Sequence, residues 1–226
     1  MSNWDRFLDT FFNAKVMAKY LPDIAYGMLI TLELAALVIV SGIAAGLALA
    51  LLRSLGFRPV NLLIVFVVDL FRALPPPVII VFIYFGLPAT GLSPSGFVST
   101  WLSLALVLMA FSEEIFWAGI ISIPKGQWEA ARSTGLSYGQ ALINVVLPQA
   151  VRLTIPPLTN RTIAITKGTA LGSVVAVSEI LGMASSAVSN SYNPSPLTLG
   201  AAAYVILFFP MVVLGRWLET RMRWKR

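Results

Sequence analysis

Long apolar stretches alternate along this chain with short polar ones. Five of them reach the ~20 residues that a bilayer core requires of a helix. They run roughly Ala25–Leu52, Val60–Leu87, Phe97–Ile123, Arg152–Ala184 and Leu197–Gly215. Residues 1–24 instead mix charges with Phe7, Leu8, Phe11 and Phe12, the pattern of an amphipathic segment lying on a membrane rather than of a cleavable leader. The expected class is an all-α membrane protein with five transmembrane helices. In the second stretch Pro75, Pro76 and Pro77 remove amide donors and predict a kink within one long bent span, since either half alone is too short to cross. The fourth stretch is the most polar, with Asn160, Arg161, Lys167 and Glu179 among Thr, Ser and Gly residues, and is expected to face the protein interior.

Composition agrees with this pattern. Of 226 residues 58% are hydrophobic and 12% charged, whereas soluble domains average about 45–50% and about 25%. The mean hydropathy is +0.83. One core of this size cannot absorb that excess, so it must face lipid. The absence of His and Cys excludes disulfides, thiolate nucleophiles, imidazole bases and the usual zinc sites. In a membrane protein a net charge of +6 is a question of sidedness, not of nucleic acid, which is not an expected partner. Lys and Arg follow the first span (Arg53, Arg58), separate the third and fourth (Lys125, Arg132, Arg152), and crowd residues 216–226 (Arg216, Arg221, Arg223, Lys225, Arg226). The loops at 89–95 and 185–196 carry no charge. The positive-inside rule therefore puts the N-terminus outside and the C-terminus inside, and five spans have the matching parity. Trp4, Trp217 and Trp224 suit interfacial anchors.

The segment 124–148 stands apart. A first short helix is expected over Gly126–Thr134, with Gly135 as its stop. A second starts after Ser137, where Ser137 and Gln140 have capping-box spacing. Leu142, Val145 and Val146 share one face, Pro148 is expected to end the run, and Trp128 to pack inside the loop. Local physics leaves two uses open: a hairpin resting on headgroups, or a rigid element entering a partner's groove.

Glu129-Ala130-Ala131, Gly135 after three residues, and Val145-x-Leu147-Pro148 after nine more resemble the EAA loop of ABC importer permeases, with Val145 in place of the usual Ile. Gly27-Met-Leu-Ile-Thr31-Leu32, Phe71-Arg72-Ala73-Leu74-Pro75, Phe82-Ile83-Tyr84-Phe85-Gly86-Leu87-Pro88, Glu114-Ile115-Phe116 with Gly119-Ile120, and Asn160, Lys167, Thr169, Leu171 and Glu179 are similar to the polar amino-acid branch of that family. The resemblance implies a type I ABC importer permease fold at 25–215, in the bacterial plasma (inner) membrane. Implied partners are a cytoplasmic ABC ATPase dimer, a second permease copy or paralogue, an extracytoplasmic solute-binding protein, an amino-acid substrate and membrane lipid. ATP-Mg would be held by the ATPase. This chain has no Gly-x4-Gly-Lys-Ser/Thr loop, is not expected to be an enzyme, and needs no cofactor of its own. Coupling to the ATPase is assigned to Glu129, Ala130, Ala131, Gly135, Leu142, Leu147 and Pro148.

Eight ionisable residues fall inside the expected spans: Glu33, Asp69, Arg72, Glu113, Glu114, Arg161, Lys167 and Glu179. Each costs roughly 2.5–3.5 kcal/mol near the bilayer centre and so needs a partner or a task. Asp69 and Arg72, three apart, can pair. Lys167 and Glu114 could bind the carboxylate and ammonium of a zwitterionic substrate, or each other. Arg72, Glu113, Trp117 and Thr169 complete the candidate substrate set. The family commonly has Ala at Glu113, Arg at Trp117 and Asp at Gly168. Glu113 and Trp117 make the third span's inner half more negative, an expected bias towards neutral, cationic or bulky amino-acid derivatives. The rival readings are an ion-coupled secondary transporter, which leaves the loop pattern unexplained and lacks an obvious inverted repeat, and a non-transporting scaffold subunit.

Overall fold

The structure is a computed structural model that describes residues 2–222. Arg223, Trp224, Lys225 and Arg226, expected as an anchor and the end of the basic tail, lie outside the described residues. Every regular element described is helical. Helix α1 (Asn3–Phe11) opens with the Ser2 hydroxyl accepting from the Asp5 amide at 3.1 Å, while the Asp5 carboxylate accepts from the Ser2 amide at 2.9 Å. Helix α2 (Ala14–Ser54) follows, 41 residues with Pro22 inside it. It already begins at Ala14, so the separate amphipathic piece is α1 alone.

Helices α3 (Arg58–Ala73) and α4 (Pro76–Val81) meet at Leu74 and Pro75, both extended. A residue before proline is driven out of the α region, and two in succession stop the helix. Pro76 and Pro77 then occupy the first turn of α4, where amide donors are superfluous. The chain turns by 103° here, so the expected kink is a full break. A π-helical turn (Phe82–Gly86) and a 3₁₀ turn (Leu87–Thr90) continue α4. Helix α5 (Gly96–Ser122) matches the expected third span closely.

Helix α6 (Lys125–Ser133) is followed by α7 (Tyr138–Ala141), a π-helical turn (Leu142–Val146) and α8 (Leu147–Thr166). Pro148 does not end the run as expected. It lies in the first turn of α8, and the wide turn before it relieves the clash a proline ring makes with the carbonyl four residues earlier. The fourth span is likewise not one α-helix. From Lys167 to Val175 it tightens into a 3₁₀-helix and ends at Ala176 in the left-handed conformation (φ 57°). Two glycines and β-branched neighbours favour α-helix too weakly to hold the 3.6-residue pitch. Helices α9 (Ile180–Ser191) and α10 (Ser195–Met222) complete the chain. Among the described residues four helical stretches are long and apolar enough to cross a membrane, or five if α3 and the broken α4 segment count as one.

The chain divides into two compact units. The first takes Met1–Val38, Pro75–Leu104 and Ile165–Val212; the second takes Ile39–Leu74, Ala105–Ala164 and Val213–Arg226. In the first, Ile24, Ile180, Ala184 and Ala203 form one core cluster, and Leu34, Ile80, Val175 and Val177 another. In the second, Phe116, Ile120, Leu142, Val146 and Ala150 pack together, as do Ile64, Val68, Met109 and Ala110.

Candidate functional site

The hairpin of residues 124–148 lies within the second unit. Gly135 has φ 89°, so the turn demands a conformation that side chains resist. Beyond it the Ser137 hydroxyl accepts from the Gln140 amide at 3.3 Å and the Gln140 side chain accepts from the Ser137 amide at 2.9 Å, as the spacing predicts. Trp128 stacks on Tyr138 (5.0 Å between ring centroids), and the Tyr138 hydroxyl donates to the Ser54 carbonyl at 2.6 Å. The hairpin is thereby tied to the end of α2. Its expected coupling residues divide by exposure: Glu129, Ala130, Gly135 and Pro148 are exposed, Leu147 half-buried, and Ala131 and Leu142 buried in the core.

In the second unit charged residues of α2, α3, α5 and α8 make ion pairs and ring contacts. Glu113 is fully buried and accepts from Arg53 Nη1 at 3.0 and 3.3 Å, with the guanidinium 4.6 Å from the Trp117 ring. Glu114, one position on and about 100° around the helix, is 46% exposed and bridges Arg72 at 2.7 Å. The expected Asp69–Arg72 pair is present at 3.4 Å, longer than the Glu114 contact. Phe111 lies under two guanidiniums, Arg161 at 3.9 Å and Arg72 at 5.6 Å. Arg53 and Phe111 are absent from the expected set. The signal for Arg53 was its place in the last turn of α2, read there only as a marker of sidedness.

Lys167 and Thr169 belong to the first unit. Lys167 is exposed at the start of the 3₁₀ segment, in a groove of about 400 Å³ walled by Tyr204, Phe208 and Phe209. Thr169 is buried and donates to the Thr166 carbonyl. Glu179 is also fully buried, and its task is local. It caps α9, its Oε2 accepting from the Leu181 amide (2.9 Å) and its Oε1 from the Gly182 amide (2.7 Å), and the Tyr204 hydroxyl donates to the same Oε2. Thr31 accepts from the Ile180 amide at 3.3 Å, and a Cβ on Gly27 would lie 3.1 Å from the backbone of Glu179 and Ile180. The Gly27…Thr31 pair therefore lets α2 seat against the start of α9. Gly119 does the same for α5 against α8, where a Cβ would meet Thr154 at 2.5 Å.

Residues 17–224 match the family described as the binding-protein-dependent transport system inner membrane component. This chain belongs to that family. Similar proteins include the probable glutamine ABC transporter permease GlnM of Bacillus subtilis (35% identity, covering 78% of this chain and 82% of the relative). The arginine transport system permease ArtQ of the same organism is 31% identical over 90% and 94%. Among solved structures, an amino acid ABC transporter with histidines superposes with a TM-score of 0.82 at 31% identity, covering 91% of this chain and 96% of the other. The MetNI methionine transporter shares the fold, with a TM-score of 0.68 at 19% identity. The chain is thus a multi-pass permease component of a bacterial ABC importer, with the type I permease fold.

Proposed function

We propose that this chain forms the translocation path of an ATP-driven amino-acid importer and transmits force from a cytoplasmic ATPase through the 124–148 hairpin. The N-terminus is outside and the C-terminus inside. A second permease copy or paralogue completes the membrane part, a solute-binding protein delivers substrate, and ATP-Mg is bound and hydrolysed by the ATPase pair. The observation that carries this reading is the hairpin: Glu129 and Ala130 are presented outward on a short helix, while Ala131, Leu142 and Val146 seat it in the core. Tyr138 fastens it to α2. A rigid displacement of the hairpin would therefore carry α2 and α8 with it.

Within the second unit substrate contact is assigned to Glu114 and Arg72; in the first unit Lys167 is exposed and is a separate candidate, whereas Thr169 is fully buried. Glu114 and Arg72 are partly exposed and already form an ion pair, so a zwitterion can replace their pairing without stranding either one. Glu113 and Trp117 act in the same path by holding Arg53, and the Arg53 guanidinium offsets the negative charge of Glu113. With the Glu113 charge offset, the preference for neutral and cationic amino acids over acidic ones rests on the relatives named for glutamine and arginine. The test is reconstitution of a tagged chain with its co-purifying subunits. ATP-dependent uptake of glutamine or arginine, exceeding that of glutamate, is expected. Accumulation against a gradient by this chain alone would refute the coupling, and a preference for glutamate would refute the selectivity.

A further inference from the structure

Where α5 gives way to α6, a cleft of about 330 Å³ opens between the end of one helix and the first turns of α8. We propose that it binds the phosphate headgroup of an anionic phospholipid. Arg152, Gln127 and Gln149 line its polar side, and Ile123 and Leu153 its apolar side. Gln149 Nε2 donates to Gln127 Oε1 at 3.2 Å and to the Val145 carbonyl at 2.7 Å. That arrangement uses the Gln127 oxygen as an acceptor and leaves its Nε2 without a protein acceptor among the described residues. Arg152, three residues beyond Gln149 on the same face of α8, has no carboxylate, ring or hydrogen-bond partner among the described residues. The cleft thus offers a planar guanidinium and a carboxamide donor with no acid lining it. Guanidinium forks match phosphate oxygens in pairs.

Position separates a lipid from other anions. α5 ends at Ser122, and α6 at once presents Lys125, Gln127, Glu129 and Arg132 to the surroundings. That change from apolar to charged surface marks the depth of headgroups. Within the cleft's lining Leu153 is 50% exposed and stands with Ile123 and Pro124, an apolar wall suited to acyl chains and of no use to a small anion or an acidic side chain. Basic pockets at this depth are a known form of headgroup recognition.

Native mass spectrometry of the detergent-purified complex with all its subunits tests this. The wild-type complex should retain phosphatidylglycerol over phosphatidylcholine, and R152Q should lose at least about tenfold of that retention at unchanged subunit composition. R152K should keep most of it, and R58Q, a cation elsewhere, should match wild type. Equal retention by R152Q and wild type would overturn the proposal, as would loss of the ATPase from R152Q with lipid retained, which would make the cleft a partner's docking point. Displacement by millimolar inorganic phosphate would overturn it too, by assigning a free anion. Should R152Q not assemble, a photoreactive phosphatidylglycerol added to the unmodified complex decides. Crosslinks concentrated in residues 121–127 and 149–153 support the site, and crosslinks spread evenly over the apolar surface refute it.

Discussion

The pair formed by Arg53 and Glu113 offers a sharp test of how this permease carries charge inside its helices. Glu113 has no exposure, whereas Arg53 keeps 21%. Removing the cation in R53L strands a buried carboxylate, and breaking such a pair from one side costs about 3–5 kcal/mol. The partial exposure of Arg53 lets water reach the site, so the low end, about 3 kcal/mol, is expected. That corresponds to more than a hundredfold in the folding equilibrium at 1.4 kcal/mol per decade. E113Q should cost less, about 1–2 kcal/mol, because the freed guanidinium still lies over Trp117 and can meet solvent. Replacing both charges with leucine removes the desolvation penalty together with the attraction, and the double variant should fall within about 1 kcal/mol of wild type. Equilibrium unfolding of wild type, R53L, E113L and the double leucine variant in mixed micelles of rising SDS content gives all four corners of the cycle. A coupling energy of at least about 2 kcal/mol is expected. If R53L and E113L add without coupling, or if R53L costs less than about 1 kcal/mol, the two groups do not depend on each other and the reasoning fails.

Three further outcomes follow from single positions. Gly135 has open space where a side chain would go, so its intolerance comes from backbone alone. G135V should cost about 1–2 kcal/mol in the hairpin and lower ATPase retention on co-purification, while G135N, which tolerates the left-handed region, keeps most of it. Y204F removes one donor from the buried Glu179 and should lower thermal stability by about 1–2 kcal/mol; a variant as stable as wild type would mean that the cap of α9 does not need it. G27A forces a Cβ against the backbone of Glu179 and Ile180 and should cost about 1–3 kcal/mol in the same unfolding assay, whereas G126A, with nothing within 4 Å in helix α6, should be neutral or slightly stabilising.

What the linear order of residues determined here is what depends on neighbours in the chain. Apolar length marks the membrane helices, because the bilayer core sets a minimum that composition alone can meet. The Ser137 and Gln140 cap, the glycine stop at 135 and the Asp69–Arg72 pair are contacts made within a turn, and they form as their spacing predicts. Three things were decided only in three dimensions. The proline run became a 103° corner rather than a bend, since whether a helix resumes in line after two extended residues depends on what it packs against. The fourth span tightened to 3₁₀ at Lys167 and restarted at Glu179, because a buried carboxylate finding the Leu181 and Gly182 amides makes the break tolerable, and those donors have no signature in composition. Glu113 and Glu114, adjacent in the chain, took opposite roles, one sealed against Arg53 and one half-open to Arg72. Their partners lie 60 and 42 positions away in the chain, and only packed helices bring charges that far apart to 3 Å.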